Sequence, residues 1–269
     1  MKGLTAGKAD RYDLYRLSVQ AVEQDVGWLC RVFRREAGRP LRVFREDFCG
    51  TAQLLCHFVQ QHPENLGIGI DRDPEPLDWC RRKSFPLCTA AQQKRIHLIE
   101  KDVLLVRTSP VDAIAAFNFS YCTLKTRSEL RRYFQNVRRS LKNDGMFVVD
   151  ASGGSEVTIE GSDTWNMGDF SYEWEVASFD PVTHHIVCKI HFLFPDGTRK
   201  QNAFVYHWRL WTLPELRELL AEAGFQRVEV FWESTDRKTN QGNGVMRRVR
   251  KGRVEGAWYA ILAARKCGC

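Results

Sequence analysis

The sequence predicts an α/β protein with a mostly parallel sheet, and three observations lead to this fold class. Apolar segments of strand length alternate with amphipathic segments of helix length through the first half of the chain, which is the order of βαβ units. An aromatic, partly alternating stretch then interrupts that order, and two strand-like segments follow a last helix. The length of 269 residues suits one large domain or one domain with an insert.

The elements of the first half can be placed in order. Apolar residues at three- and four-residue steps predict one helix over residues 10–37, which ends where Gly38 can cap it and Pro40 blocks its continuation. Strands are predicted within residues 41–44, 66–71, 95–103, 111–119 and 146–151. The helices between them are predicted over residues 51–62, 74–84 and 126–143.

The composition and the apolar pattern of the sequence change after residue 152. Aromatic and β-branched segments separated by the turn signals "DP" and "PDGT" predict an antiparallel meander over residues 153–211. A helix over residues 212–225 follows, with Thr212 as its N-cap and Gly224 as its stop. The segments "QRVEVFWE" and "AWYAILAARK" predict two final strands on either side of a loop over residues 236–253.

Charge is spread unevenly along the chain. The net charge is +7, and the loop 236–253 holds seven basic residues against one acid. The basic residues of this loop are Arg237, Lys238, Arg247, Arg248, Arg250, Lys251 and Arg253. A single basic loop on a nearly neutral body favours a nucleic-acid partner less than a uniformly basic surface would.

Composition excludes several classes of protein. With 43% hydrophobic and 27% charged residues, the chain is neither collagen-like nor wholly disordered. No uncharged apolar run reaches the roughly 18 to 20 residues of a membrane span, and the first residues lack the apolar core of a secretory signal. Nine irregularly spaced cysteines predict reduced thiols in a cytoplasmic protein, and no histidine spacing resembles a metal site.

The stretch that points to chemistry is "LRVFREDFCGTAQLL", a strand that leads through a glycine-bearing turn into a helix. Such a turn exposes backbone N–H groups to a nucleotide, and Gly50 lets the ligand approach the chain. Asp71 ends the second strand 21 residues later, where a carboxylate can bind both ribose hydroxyls. Asp102 and Asn118 lie at the ends of the next two strands, so all four positions are expected at one sheet edge.

The order and spacing of these segments resemble the class I S-adenosylmethionine-dependent methyltransferase family, which has a seven-stranded Rossmann-like fold. Residues 46–52, "EDFCGTA", resemble its first motif, although Phe48 and Ala52 replace two of the usual glycines. The second motif is similar to "GIGIDRDPEPLDW", and later motifs resemble "KDV", "VDAIAAFNFSYCTL", "LKNDGMFVVD" and the last helix with its two strands. The resemblance covers residues 41–151 and 212–266.

The resemblance implies a mostly parallel Rossmann-like sheet with an antiparallel last strand. It divides the chain into an N-terminal helical lid, residues 1–40, a cofactor-binding core, residues 41–152 and 212–269, and an antiparallel β insert over the active site, residues 153–211. It also implies S-adenosyl-L-methionine as cofactor and S-adenosyl-L-homocysteine as product. The acceptor would attack the sulfonium methyl in line, while the protein positions and desolvates the reactants.

Roles for individual residues follow from the matching motifs. Glu46 would face the ammonium end of the cofactor, a role for which Asp47 competes, and Asp71 would bind the ribose. The remaining implied cofactor contacts are Cys49, Gly50, Thr51, Arg72, Asp102, Val103, Asn118 and Phe119. Tyr12 and Tyr15 of the N-terminal helix are candidates to close over the cofactor. Ordinary helix packing explains both tyrosines equally well.

Substrate-side candidates come from the end of the fourth strand and from the insert. Tyr121 is a candidate base or substrate contact, and His207 and Arg209 precede the last helix, where relatives often face the substrate. A closed pocket under the insert suits a small-molecule acceptor. Its candidate lining residues, which core packing also explains, are Trp165, Tyr172, Trp174, Tyr206, Trp208 and Trp211.

Three other functions stay open at this point. An RNA methyltransferase could use the basic loop 236–253, although "NFSY" differs from the "NPPY"-type motif of many nucleic-acid methyltransferases. A nicotinamide dehydrogenase shares the acid at the second strand end, but should carry G-x-G-x-x-G at the first turn. The two replaced glycines also allow a non-catalytic binding protein on a degenerate methyltransferase fold.

Overall fold

A computed structural model describes residues 4–236 and 242–267. Within these ranges the strands are β1 (Val43–Asp47), β2 (Leu66–Asp71), β3 (Ile96–Glu100), β4 (Val111–Ala116), β5 (Leu141–Gly153), β6 (Gly161–Asn166), β7 (Ser171–Asp180), β8 (His185–Leu193), β9 (Arg199–Arg209), β10 (Arg227–Thr235), β11 (Gly242–Val249) and β12 (Trp258–Arg265). The α-helices are α1 (Arg11–Ser18), α2 (Val22–Ala37), α3 (Gln53–Gln61), α4 (Pro74–Trp79), α5 (Ala90–Gln93), α6 (Arg127–Arg139) and α7 (Leu213–Glu222).

The core is a sheet of eight strands in the order β11-β10-β12-β5-β4-β1-β2-β3. Strands β1 to β5 pair in parallel, and β12 runs antiparallel between β5 and β10. This arrangement confirms the predicted fold class. Val43 pairs with Leu66 and Asp47 with Ile70, so β1 and β2 end together at one edge of the sheet.

Helices cover both faces of this sheet, which explains the continuous apolar runs of its strands. On β5, Phe147 and Val149 pack with α6 and α7, whereas Met146 and Val148 pack with α2 and α3. Each strand residue therefore has a buried environment whichever way its side chain points.

The prediction of one helix over residues 10–37 was wrong, because the structure has two helices separated at residues 19–21. Asp10 caps α1 by accepting from the N–H of Tyr12 at 2.8 Å. Leu14 of α1 packs on the second sheet, beside Phe192, whereas Leu29 and Phe33 of α2 pack on the core. The two halves bury their apolar faces against different partners, which one straight helix could not do.

Between β5 and α7 lies a second sheet in the order β6-β7-β8-β9, which is antiparallel throughout. The predicted meander accounts for three of these strands. The edge strand β6 gave no periodic signal, since all its residues are exposed and mostly polar.

The prediction of a loop over residues 236–253 was also wrong for residues 242–249, which form β11. Residues of β11 extend the core sheet by pairing antiparallel with β10, for example Arg247 with Trp232. Arg248 forms an ion pair with Glu229 of β10. The edge position explains the missed strand, because both faces of β11 are mostly exposed and the apolar alternation is weak. Arg237 and Lys238 lie outside the described residues.

Within the two described ranges, no helix has the length and apolarity needed to cross a membrane.

A buried carboxylate fixes the sheet at the edge opposite to the loops after β1 and β2. Asp112 of β4 is fully buried and accepts from the N–H groups of Arg42 and Val43 at 3.0 and 2.8 Å. It also accepts from Arg39 and Lys142, both at 2.8 Å. These hydrogen bonds lower the pKa of Asp112 despite its burial.

We expect Asp112→Ala to lower the free energy of unfolding by about 3–5 kcal/mol, because it leaves several donors without their partner. Since the pKa of Asp112 is lower in the folded chain, its contribution is present above about pH 4 and lost on acidification. Urea unfolding at several pH values measures both effects. Asp144→Asn is the matched control, because Asp144 binds the same Arg39 but is much more exposed. This control should cost less than about 1 kcal/mol, and an equal loss in both variants would contradict the assignment.

Candidate active site

One cavity of about 480 Å³ lies at the sheet edge where β1, β2 and β4 end. The loops after these strands form its floor, and residues of α1 and β9 cover it. Eight of the residues predicted to contact or cover the cofactor line this cavity: Tyr12, Tyr15, Glu46, Cys49, Gly50, Thr51, Asp71 and Asn118. The glycine turn and the second-strand carboxylate therefore belong to the same cavity.

Side chains alternate along a strand, so the two adjacent acids at the end of β1 point to opposite sides of the sheet. Asp47 is held away from the cavity by the buried guanidinium of Arg45, at 2.6 and 3.1 Å, and by the hydroxyl of Tyr133 at 2.9 Å. Glu46 points the other way and lines the cavity. Its side chain is buried, and Oε2 has no hydrogen-bond partner among the described residues. Burial, with Asp71 and other acidic groups nearby, raises the pKa of Glu46 well above its usual range.

The turn after β1 has left-handed backbone at three residues, of which only Gly50 is a glycine. Phe48, Gly50 and Ala52 have φ values of 57°, 50° and 51°, all in the left-handed region. For a residue with a Cβ this conformation costs roughly 1–2 kcal/mol. Cys49 is buried beneath the turn, against Gly69 of β2. Burial raises the pKa of the Cys49 thiol well above its usual range, so Cys49 is a packing residue rather than a nucleophile.

Asp71 joins the first two loops. Its carboxylate accepts from the N–H of Gly50 at 2.8 Å and from the N–H of Asp73 at 3.0 Å. Burial raises the pKa of Asp71 even though these donors favour the charged form. The carboxylate is thereby held at the cavity wall in one orientation.

The loop after β4 is fixed by Asp150, a residue that the sequence analysis did not single out. The N–H groups of Asn118 and Phe119 donate to its two carboxylate oxygens at 2.7 and 3.0 Å. Both donors have left-handed backbone conformations. The signal was present in the sequence, because Asp150 follows the apolar run of the fifth strand just as Asp71 follows the second.

Helix α1 closes the cavity over the strand ends. Arg11 forms an ion pair with Glu75 of α4 and donates to the hydroxyl of Tyr12 at 2.9 Å. Tyr15 packs on Phe204 of β9, with ring centroids 5.1 Å apart. Gln20, in the segment between α1 and α2, also lines the cavity, and its buried Oε1 lacks a partner among the described residues. Two residues with unpartnered buried acceptors, Glu46 and Gln20, thus line one cavity.

A second cavity of about 540 Å³ lies between the core and the second sheet. It includes Phe119 and Tyr121, which follow the loop residues of the first cavity. On β9, Tyr206 lines the first cavity and Trp208 the second, with their rings stacked 4.4 Å apart. The two cavities therefore share the segment after β4 and one strand of the insert. Of the other aromatic candidates, Trp165, Trp174 and Trp211 line the second cavity.

Several predicted site residues are not among those that line either cavity. Arg72 is exposed, Asp102 accepts from the N–H of Leu104 at 2.8 Å, and Val103 is packed in the core. His207 is exposed because it points to the face of β9 opposite to Tyr206 and Trp208. Arg209 binds Glu215 at 2.9 Å and lies 3.8 Å from the ring centre of Trp211, which fixes the start of α7. Neither His207 nor Arg209 is among the residues that line the two cavities.

Comparison with known proteins bears on the class of the chain. No protein-family model matches it. A curated protein of Geobacillus sp. (strain WCH70), named "Putative methyltransferase", is 24% identical over 194 residues, which are 70% of this chain and 75% of that protein.

Solved structures match over nearly the whole chain. A S-adenosylmethionine-dependent methyltransferase from Clostridium acetobutylicum has a TM-score of 0.66 at 16% identity and covers 93% of this chain and 96% of its own. The amino pentose methyltransferase CalS10 from Micromonospora echinaspora has a TM-score of 0.66 at 16% identity, with 96% and 97% covered. The sugar N-methyltransferase KedS8 from Streptoalloteichus sp. has a TM-score of 0.61 at 20% identity, with 98% and 95% covered. The chain has the fold of a class I S-adenosylmethionine-dependent methyltransferase, as its motifs predicted.

The burial of Asp150 beneath the loop after β4 can be tested by the pH dependence of stability. Burial raises the pKa of Asp150 to about 7. The folded chain therefore retains this proton between about pH 4 and pH 7, and the stability that Asp150 contributes falls as the pH rises through this range. We expect the free energy of unfolding of Asp150→Asn, relative to the unmodified protein, to increase over the same range.

Hydrogen exchange provides the local readout of the same variant. An amide side chain offers one acceptor oxygen instead of two, so the N–H of Asn118 or of Phe119 should exchange faster. The free energies of unfolding of the variant and of the unmodified protein could instead change in parallel with pH, with unchanged hydrogen exchange at Asn118 and Phe119. That result would show that Asp150 does not hold this loop.

Proposed function

We propose that the protein is a methyltransferase that uses S-adenosylmethionine and methylates a small-molecule acceptor. The observation that carries this proposal is the buried, unpartnered carboxylate oxygen of Glu46 in the cavity that also holds Gly50 and Asp71. A buried acceptor without a donor is costly, so the site favours a ligand that supplies one.

The cofactor fits the polar groups of this cavity. Its ammonium group and ribose hydroxyls are donors, and Glu46, Gln20 and Asp71 are acceptors. The ionisable lining residues are one base, Arg11, and three acids, Glu46, Asp71 and Asp73, so the lining favours a cation over an anion. A nicotinamide dinucleotide would bring a doubly charged pyrophosphate into this acidic space, which argues against a dehydrogenase.

The size and position of the second cavity support a small-molecule acceptor. Its volume of about 540 Å³ lies within the range of small-molecule sites. It adjoins the cofactor cavity through the segment after β4 and through β9. Among the similar solved structures, one is named an amino pentose methyltransferase and another a sugar N-methyltransferase.

The cofactor supplies an activated methyl group, whose transfer breaks the bond to sulfur and forms one to the acceptor atom. The residues of the chain contribute position and exclusion of water. Asp150 fixes the segment between the two cavities, and α1 closes the cofactor side. Burial raises the pKa of Tyr121 well above its usual range, so its neutral hydroxyl suits substrate positioning rather than proton abstraction at neutral pH.

We expect S-adenosylhomocysteine to raise the melting temperature of the protein and NAD to leave it unchanged, since only the former matches the acidic cavity. Asp71→Ala should abolish the shift, because it removes the proposed ribose acceptor and the tie to Gly50. Differential scanning fluorimetry and calorimetric titration measure both effects. Glu218→Gln, an exposed change outside both cavities, is the control. Stabilisation by NAD alone would reverse the choice of cofactor.

Variants of the two adjacent acids of β1 should separate an effect on cofactor affinity from an effect on the stability of the fold. Glu46→Gln removes the charge that faces the cavity, so we expect the dissociation constant of S-adenosylhomocysteine to rise about 10- to 100-fold with little loss of stability. Asp47→Asn leaves the buried Arg45 without its full partner and should instead lower the free energy of unfolding by about 3 kcal/mol. Calorimetric titration and urea unfolding of both variants give the comparison.

The pH dependence of binding identifies Glu46 more specifically. The cofactor ammonium favours the ionised carboxylate, so affinity should increase as the pH rises through the elevated pKa of Glu46, with release of a proton. Glu46→Gln should remove this dependence. If it persists in the variant, another group binds the ammonium.

A further inference from the structure

We propose that His191 is a positioning residue of the first cavity. In its neutral form it holds residues 202–206 of β9, here called the roof segment, over that cavity, and its protonation releases them. The effect on cofactor affinity rests on the proposed methyltransferase function, whereas the contact between His191 and the roof segment can be measured without any ligand.

The roof segment is the part of β9 that passes over the first cavity. Because side chains alternate along a strand, a run of five consecutive lining residues means that the backbone itself borders the space. Phe204 also contacts α1, with its ring centroid 5.7 Å from that of Tyr12 and 5.1 Å from that of Tyr15. The backbone position of the roof segment therefore affects both the cavity and the helix that closes it. The lining residues of this segment are Asn202, Ala203, Phe204, Val205 and Tyr206.

The roof segment begins at an irregularity in the pairing of β8 with β9. The register shifts at His191, which stands alone opposite to residues 201–203 of β9. Within this bulge Asn202 has a left-handed backbone, with φ of 52°. The N–H of Asn202 donates to Nδ1 of the His191 ring at 2.9 Å, in a place where a regular ladder would use a main-chain carbonyl. The side chain of His191 therefore stabilises the bulge.

The hydrogen bonds of His191 assign its protonation state. A ring nitrogen that accepts from a backbone N–H carries no proton, so Nδ1 is the bare nitrogen. The proton is then on Nε2, which donates to Oε2 of Glu175 at 2.7 Å. In the cationic ring both nitrogens carry protons, and the proton on Nδ1 would face the N–H of Asn202. Because His191 is fully buried, water cannot separate these two donors unless the roof segment moves.

The charged residues around His191 come from all three neighbouring strands. On β7, Glu175 also accepts from Nζ of Lys189 at 3.0 Å. Glu173, which pairs with His191, accepts from Arg199 at 2.9 Å. Three bases and two acids surround the ring, so a proton on His191 would add to an excess of positive charge. The five groups are Glu173 and Glu175 on β7, Lys189 on β8, and Arg199 and Lys200 on β9.

Protonation of His191 therefore disfavours the observed roof segment, and the affinity of the first cavity should fall on acidification. The cofactor-bound form, with its roof segment in place, holds one proton fewer at His191. Affinity should then rise with pH across the range in which histidines titrate. Glu46 is expected to change the affinity in the same direction, so the test compares proteins that all retain Glu46.

Two amide variants replace different nitrogens of the ring. His191→Asn offers an oxygen near the place of Nδ1, so it keeps an acceptor for the N–H of Asn202 without a titratable group. His191→Gln reaches towards Glu175 instead and leaves the N–H of Asn202 without its acceptor. His185→Asn is the matched control, because His185 lies exposed on the same strand.

Three measurements on the full-length protein follow. We expect His191→Gln to lower the protection of the Asn202 amide against hydrogen exchange and to raise the dissociation constant of S-adenosylhomocysteine about tenfold at about pH 8. His191→Asn and the control should stay within about twofold of the unmodified protein. Between about pH 8 and pH 5.5 the dissociation constant should rise more in the unmodified protein than in His191→Asn. Nitrogen-15 correlation spectra should show the proton of His191 on Nε2 at about pH 8.

The outcomes distinguish this inference from the proposed function. If S-adenosylhomocysteine binds but both variants match the unmodified protein in affinity and in Asn202 protection, His191 has no positioning role and the methyltransferase stands. Equal losses in both variants with an unchanged pH dependence also refute the role, since the ring would then matter only for packing. A proton on Nδ1 refutes it without any variant. If S-adenosylhomocysteine does not bind while Asn202 protection responds to pH and to the variants as expected, the contact with the roof segment stands and the proposed reaction fails.

Discussion

The hydrogen bond from the N–H of Gly50 to the carboxylate of Asp71 is the constraint on which the site depends. It is 2.8 Å long and joins the loops that follow two neighbouring parallel strands. The register of β1 and β2 brings both strand ends to one edge, and this bond then fixes the turn against the carboxylate. The turn can hold left-handed backbone at Phe48 and Ala52 because the surrounding contacts over-determine its shape. Without that hydrogen bond, the loop could adopt a less strained conformation at Phe48 and Ala52, which stand where the family usually has glycine.

Alternation along β1 then decides which side chains face the first cavity. Arg45 and Asp47 point to the α6 side and neutralise each other, with Tyr133 completing the group. Glu46 lies between them in sequence, points to the opposite side and forms no ion pair with any residue that the structure describes. The same three-residue segment therefore places a paired buried charge in the core and a carboxyl group, without an ion-pair partner among the described residues, at the cavity. Such a division follows from the two-residue period of a strand, which places neighbours in different environments.

Much of this could be predicted because the signals are local. The strand over residues 66–71 has the predicted bounds, and Asp71 lies at the sheet edge as its position after an apolar run suggested. The predictions that failed concern tertiary contacts. Whether residues 10–37 form one helix depends on the two partners against which they pack, and whether the basic segment forms β11 depends on the free edge of β10. The role of His207 stays a prediction, although a one-residue step along β9 places it on the face opposite to the cavity-lining Tyr206 and Trp208.

The acidic lining of the first cavity bears on how such an enzyme would accelerate the reaction. Methyl transfer moves positive charge from sulfur towards the acceptor but creates no new net charge. Carboxylates around the first cavity would therefore stabilise the sulfonium of the proposed cofactor and the transition state to a similar extent, which raises affinity more than rate. The rate must then come from alignment of the two ligands and from exclusion of water. In this structure that task falls on the segment between the cavities, where Asp150 holds Asn118 and Phe119 in left-handed conformations, and on the stacked rings of Tyr206 and Trp208.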